Sequence, residues 1–83
     1  MTQPKINIEY FAILKDLAGK DHEQLDLQSN DTPRSVYKRL AERYSFPLEL
    51  SELRVAVNDE FAEADHQLTN DNRLVFIPPV AGG

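Results

Sequence analysis

One segment limits the folds open to this 83-residue chain more than any other: Thr32 followed by Pro33, then an apolar stripe at Val36, Tyr37, Leu40, Ala41 and Tyr44. Thr32 offers a side-chain oxygen to the unpaired N–H groups of a first helical turn. Proline just after it has no N–H to satisfy and a φ already suited to the helix. The stripe recurs at spacings of three and four and so falls on one face, while Lys38, Arg39, Glu42 and Arg43 fall toward water. The spacing predicts one helix from Pro33 to about Tyr44, its stripe in the core rather than at a binding face.

The other periodic segments alternate. Lys5 to Ala12 sets Ile6, Ile8 and Tyr10 against Asn7, Glu9 and Phe11, the period of a half-buried strand, with Phe11 out of pattern on the polar side. Ile13 to Lys20 reads as a loop or single helical turn closed by Gly19. His22 to Gln28 reads as a second strand, hairpin-paired with the first, and Ser29 to Asp31 as a polar break. After the helix, Phe46, Pro47, Leu48 and Leu50 form an irregular connection. Leu53, Val55 and Val57 then alternate with Arg54, Ala56 and Asn58 as a third strand, and Asn58-Asp59 turns it back into a short strand through Glu60, Phe61 and Ala62. Glu63 to Asn72 is polar, with Leu68 as a core plug and Asn70, Asp71 and Asn72 as turn residues before a last strand, Arg73 to Ile77, whose Leu74 and Phe76 face inward. Strand, strand, helix, strand, short strand, strand is the order of a β-grasp, an α+β fold with a mixed sheet of about five strands on one main helix. The order alone also permits other small α+β arrangements.

Composition narrows the chemistry. Eighty-three residues make one small domain, and the absence of cysteine removes disulfides, thiolate catalysis and cysteine-ligated zinc together. With no signal peptide or long apolar run, the expected setting is cytoplasmic, with no membrane partner. A net charge of −5 with nine scattered Lys and Arg residues opposes a phosphate backbone, so no nucleic-acid partner is expected. Asp65, His66 and Asp71 offer oxygen and imidazole groups, but on a predicted loop their spacing does not force convergence, and no metal site is expected; His22, at a strand start among charged residues, has still less to recommend it.

The last eight residues carry the functional signal: Phe76, Ile77, Pro78, Pro79, Val80, Ala81, Gly82, Gly83. The two prolines end sheet pairing and direct the chain outward, and two glycines without Cβ atoms can thread a narrow channel and leave a carbonyl open to attack from either face. A frayed end of small residues is the plain alternative, but this one is apolar and proline-stiffened. The expectation is a body over residues 1–77 and a flexible tail over 78–83 that reaches roughly 20 Å when extended. If the chain carries sulfur, the carrier is the C-terminal carboxyl, since there is no thiol.

The stretch FIPPVAGG, with Tyr10-Phe11-Ala12, Ala56-Val57-Asn58 and Asp65-His66 with Leu68, resembles the small, sulfur-carrier subunits of molybdopterin synthase, a ubiquitin-like family. The resemblance implies that the Gly83 carboxyl is adenylated with ATP by an E1-like adenylyltransferase, converted to a thiocarboxylate by a sulfurtransferase, and inserted as the segment Pro78, Pro79, Val80, Ala81 and Gly82 into a catalytic large subunit. Sulfur would then pass to cyclic pyranopterin monophosphate to form the molybdopterin dithiolene. No cofactor would be bound permanently, and the assembly would be a heterotetramer. In this fold the first and last strands are central neighbours, so Phe11 and Ile77 share a face. With Phe61 they make an apolar patch beside the tail root, where the resemblance implies that partners dock; Lys15 is a rim candidate for an ion pair.

Rival readings use the same tail for thiazole or tRNA thiolation or for attachment to lysines as a protein modifier, or leave it inert in a pure binding module. One departure from the family pattern is Asn70-Asp71-Asn72-Arg73, where relatives often have an Asp-Gly-Asp-Glu type of turn; here Asn is expected at any positive-φ position.

Overall fold

The computed structural model describes residues 3–79. Its elements are β1 (Lys5–Tyr10), α1 (Ala12–Ala18), β2 (His22–Asp26), α2 (Pro33–Tyr44), a short 3₁₀ turn (Leu50–Glu52), β3 (Arg54–Val57), β4 (Glu60–Phe61) and β5 (Arg73–Ile77). The five strands form one sheet in the order β2-β1-β5-β3-β4. Strands β1 and β5 run parallel at its centre, Ile8 opposite Leu74 and Tyr10 opposite Phe76. The other pairings are antiparallel. This is the ubiquitin-like β-grasp.

Helix α2 starts and ends where Thr32-Pro33 and the stripe place it. The Thr32 hydroxyl accepts the Ser35 N–H at 3.3 Å while the Ser35 hydroxyl accepts the Thr32 N–H at 3.0 Å, a reciprocal cap. Ser45 in the left-handed region closes the other end. Val36, Tyr37 and Leu40 of this helix pack on Ile6, Ile8 and Tyr10, on Val55 and Val57, and on Leu74 and Phe76, with Leu68 plugging one end of the layer. Five aromatic rings interlock there: Tyr37 lies 5.0 Å from Phe76 and 5.8 Å from Phe46, and Tyr10 meets Tyr44 and Phe46 edge-on at 6.1 Å each.

Two carboxylates, Asp31 buried and Glu23 partly buried, tie this layer to the chain around it. Asp31, just before α2, takes both arms of the Arg39 guanidinium at 2.9 and 3.0 Å, the Ser35 hydroxyl at 2.7 Å and the Gln28 N–H at 2.8 Å. Glu23 accepts the hydroxyls of Tyr10 and Tyr44, each at 2.6 Å, with Arg43 at 3.6 Å and Lys20 at 3.7 Å. Burial alone would raise both carboxyls. The Tyr10 and Tyr44 hydroxyls with Lys20 and Arg43 outweigh it at Glu23, and Arg39 with the Gln28 N–H and Ser35 does so at Asp31, so both are held below the usual carboxylate range. Burial and the Glu23 carboxylate push the Tyr10 hydroxyl strongly up, which keeps it a donor.

Four expectations change. Residues 12–18 form a two-turn helix rather than a loop or single turn, closed by Gly19 at φ 75°, whose N–H reaches the Lys15 carbonyl at 2.9 Å. The strand before it stops at Tyr10. Arg39 is drawn back to Asp31 instead of pointing to water, because the carboxylate, eight residues earlier in the chain, has both oxygens in reach of the guanidinium. The positive φ before β5 belongs to Asp71 at 67°, not to Asn, while Asn72 is buried and its side-chain oxygen accepts the Thr69 N–H at 2.7 Å. The Asn58-Asp59 reversal is as expected: both residues take positive φ, 52° and 71°, the geometry of a tight hairpin turn.

Candidate functional site

The face of the sheet away from α2 is built in two rows by the strand register. Glu9, Val75, Ala56 and Phe61 lie side by side across β1, β5, β3 and β4. One step toward the end of β5, Ile77 lies opposite Arg54, and Phe11 follows Tyr10, the partner of Phe76. Phe11 has left the strand but keeps extended backbone, φ −127° and ψ 151°, so its side chain still follows the outward parity. The middle of the face is small, Val75 and Ala56, and its margin is large, so Phe11, Ile77 and Phe61 line one shallow apolar concavity. Phe11 is 45% exposed and Phe61 70%. The Arg54 guanidinium lies 5.1 Å from the centre of the Phe61 ring, which screens one face of that ring and leaves the other open.

A second apolar groove adjoins the first along Phe11 and Ile77. Its other walls are Ala12, Ile13, Leu48, Pro78 and Pro79. Ala12 sits at φ 53°, a left-handed conformation that costs a residue with a Cβ on the order of 1–2 kcal/mol, and it turns the chain so that Phe11 and Ile13 both face the groove. Ile13 and the next outward position of α1, Leu17, are each 42% exposed and continue the apolar surface.

The residues singled out from the sequence fall as follows. Phe11, Phe61 and Ile77 are brought together. Lys15 stands on α1 with its ammonium 2.9 Å from Asp21, whose hydrogen bond and charge hold the lysine above its ordinary range. Pro78, expected to begin the free stem, is buried beside Ile77, and Pro79 is the first exposed residue of the segment, so the body extends one residue further than the 1–77 boundary. Val80, Ala81, Gly82 and Gly83 lie outside the described residues. Sequence reasoning missed Ile13, Leu17 and Leu48 as neighbours of the patch. The spacing of Ile13 and Leu17 by four, on a helix face next to that of Leu14 and Ala18, was the available signal for two of them.

The polar candidates go elsewhere. Asp65 accepts the Arg34 Nε–H at 3.0 Å at the surface, and the His66 N–H reaches the Glu63 carbonyl at 3.1 Å. Among the described residues no group of three or more His, Asp or Glu side chains converges, and no helix is long and apolar enough to cross a membrane.

The ThiS family model matches residues 8–83. The chain is 31% identical over 80 residues to the molybdopterin synthase sulfur carrier subunit of Escherichia coli, covering 94% of this chain and 99% of the relative. It is 29% identical over the same shares to the protein of that name from Haemophilus influenzae. Among solved structures, a Pyrococcus furiosus protein described as molybdopterin converting factor, subunit 1, superposes with a TM-score of 0.80 at 26% identity, over 93% of this chain and 99% of that one.

Proposed function

The chain belongs to the ThiS family, and from that premise we propose that it is the sulfur-carrier subunit of a molybdopterin synthase, working in the cytoplasm. The observation that supports this most is the similarity to the Escherichia coli sulfur carrier subunit over nearly the full length of both chains.

The reacting group in this reading is the Gly83 carboxyl. A carboxylate is a poor acyl donor because its leaving group would be oxide, so it must first be activated. An E1-like adenylyltransferase supplies ATP: a carboxylate oxygen attacks the α-phosphorus, pyrophosphate leaves, and the acyl group gains AMP as a leaving group. A sulfide-level sulfur nucleophile delivered by a sulfurtransferase displaces AMP, forming the C–S bond as the acyl–phosphate bond breaks, and leaves a C-terminal thiocarboxylate. The thiocarboxylate then enters the large subunit and gives its sulfur to cyclic pyranopterin monophosphate, twice per dithiolene, in a heterotetramer of two carriers and two large subunits. The large subunit holds the substrate pocket and catalytic groups.

This chain's part is to bind and to present. Phe11, Phe61 and Ile77 offer apolar area to the partners, and Lys15, already held by Asp21, contributes at the rim at most the small energy of an exposed pair. Pro78 and Pro79 stiffen the root, Val80 and Ala81 are part of the segment that inserts, and Gly82 brings no side chain to obstruct a narrow channel. Intact mass after incubation with ATP, the adenylyltransferase and a sulfur donor tests the reading: replacement of one oxygen by sulfur is expected. Deletion of Gly83 or Gly82→Phe is expected to abolish it while the fold remains. Sulfur transfer at the full rate by either variant overturns the proposal.

A further inference from the structure

The root of the terminal segment, Pro78 and Pro79, lines an open apolar groove whose other walls come from two sides. On one side stand Phe11, Ala12 and Ile13, turned by the positive φ of Ala12. On the other stands Leu48, half-buried, in the irregular connection after α2. Leu48 has no helix or strand to fix it. Its backbone carbonyl accepts the Tyr37 hydroxyl at 2.8 Å. The Tyr37 ring is in turn fixed between Phe46 and Phe76, and Phe76 is two residues before the buried Pro78. One tyrosine thus braces both the strand that leads into the root and the loop that walls it. The hydroxyl remains a donor across the physiological range, since burial and the nearby Glu52 and Glu49 carboxylates push its ionisation up.

We propose that Tyr37 and Leu48 are positioning residues: the hydroxyl-to-carbonyl clasp holds Leu48 against the groove at Pro78 and Pro79 and so sets the direction in which the terminal segment leaves the body toward a partner's active site. The inference rests on the proposed carrier function. A reacting group delivered on a stem is sensitive to the angle of that stem, because a displacement on the order of 1 Å can slow a positioned reaction as much as 100-fold. Tyr37 itself is buried and lines neither groove of the patch, so removing its hydroxyl leaves the side chains of Phe11, Phe61 and Ile77 unchanged.

The test is steady-state adenylation of the carrier by the adenylyltransferase, with carrier concentration varied, for the wild type, Tyr37→Phe, Leu48→Met and Leu48→Gly. Tyr37→Phe removes only the oxygen. Its kcat is expected to fall about five- to tenfold with KM unchanged, Leu48→Gly to fall at least as far, and Leu48→Met to retain near-wild-type kcat. Near-UV circular dichroism of each variant confirms the packed core, and Tyr37→Phe with Leu48→Met carry the test if Leu48→Gly fails to fold. A raised KM with unchanged kcat assigns Leu48 to the docking surface and overturns the proposal, as does a Tyr37→Phe variant with wild-type kcat and KM. Wild-type carrier that is never adenylated overturns the carrier function itself, a result separate from either.

Discussion

Five aromatic rings interlock between helix α2 and the sheet, and two, Phe11 and Phe61, stand in the open on the sheet's other side. The residue type is the same in both places. What differs is the surroundings: Tyr10, Tyr37, Tyr44, Phe46 and Phe76 each touch another ring, whereas Phe11 and Phe61 border a floor of Val75 and Ala56 too small to cover them. The first group supplies cohesion. The second gives little to the isolated fold and, in the proposed function, offers its area to a partner, a division of stability from recognition within one small domain.

Substitution at the two places is expected to split these properties cleanly. Phe76→Ala, at a fully buried ring, should cost about 3–5 kcal/mol, which for a domain of this size lowers the thermal midpoint by roughly 15–30 °C. Phe61→Ala should move it by no more than about 0.5 kcal/mol; equal losses at the two sites in thermal unfolding would erase the distinction. On the recognition side, Phe11→Asp should weaken binding to the large subunit by about tenfold or more with the fold unchanged, and an unaltered affinity by titration calorimetry would remove Phe11 from the docking surface.

A smaller effect comes from acid. Folded Glu23 and Asp31 are held below their ordinary range, so the stability they contribute is whole above about pH 5 and is lost as pH falls through their lowered values. Glu23→Gln should flatten part of that acid limb in denaturant titrations, and an unchanged limb would mean that the Tyr10 and Tyr44 hydrogen bonds to Glu23 contribute nothing. Smallest of all, Arg54→Ala should lower stability by less than about 0.5 kcal/mol through loss of its contact with the exposed Phe61 ring; a larger loss in the same assay would show that Phe61 belongs with the cohesive group.

How much of this was legible in the sequence depended on whether a segment had a period. Helix α2 and the inward sets of β1, β3 and β5 follow from spacings of four and two, and the Thr32 cap from one residue type beside proline. The outward position of Phe11 was readable because parity survived one residue past the end of the strand. Helix α1 was not, since its seven residues follow Phe11, which offers no capping oxygen, and only Leu14 and Ala18 are buried. Leu48 sits in a connection without period, so nothing local links it to Pro78. Proline in the sequence marks where pairing stops but not whether the ring is covered, and Pro78 therefore belongs to the body although it reads as the start of the stem.

The buried Pro78 acts as the zero mark of a ruler. Measured from Pro79, five residues span at most about 17 Å, against about 20 Å for the six counted from Pro78. In the proposed carrier function the reach of the segment is therefore counted from Pro79, and one residue inserted after it would lengthen that reach by about 3.4 Å. The length of the stem, as much as its composition, decides which cavities the end can serve.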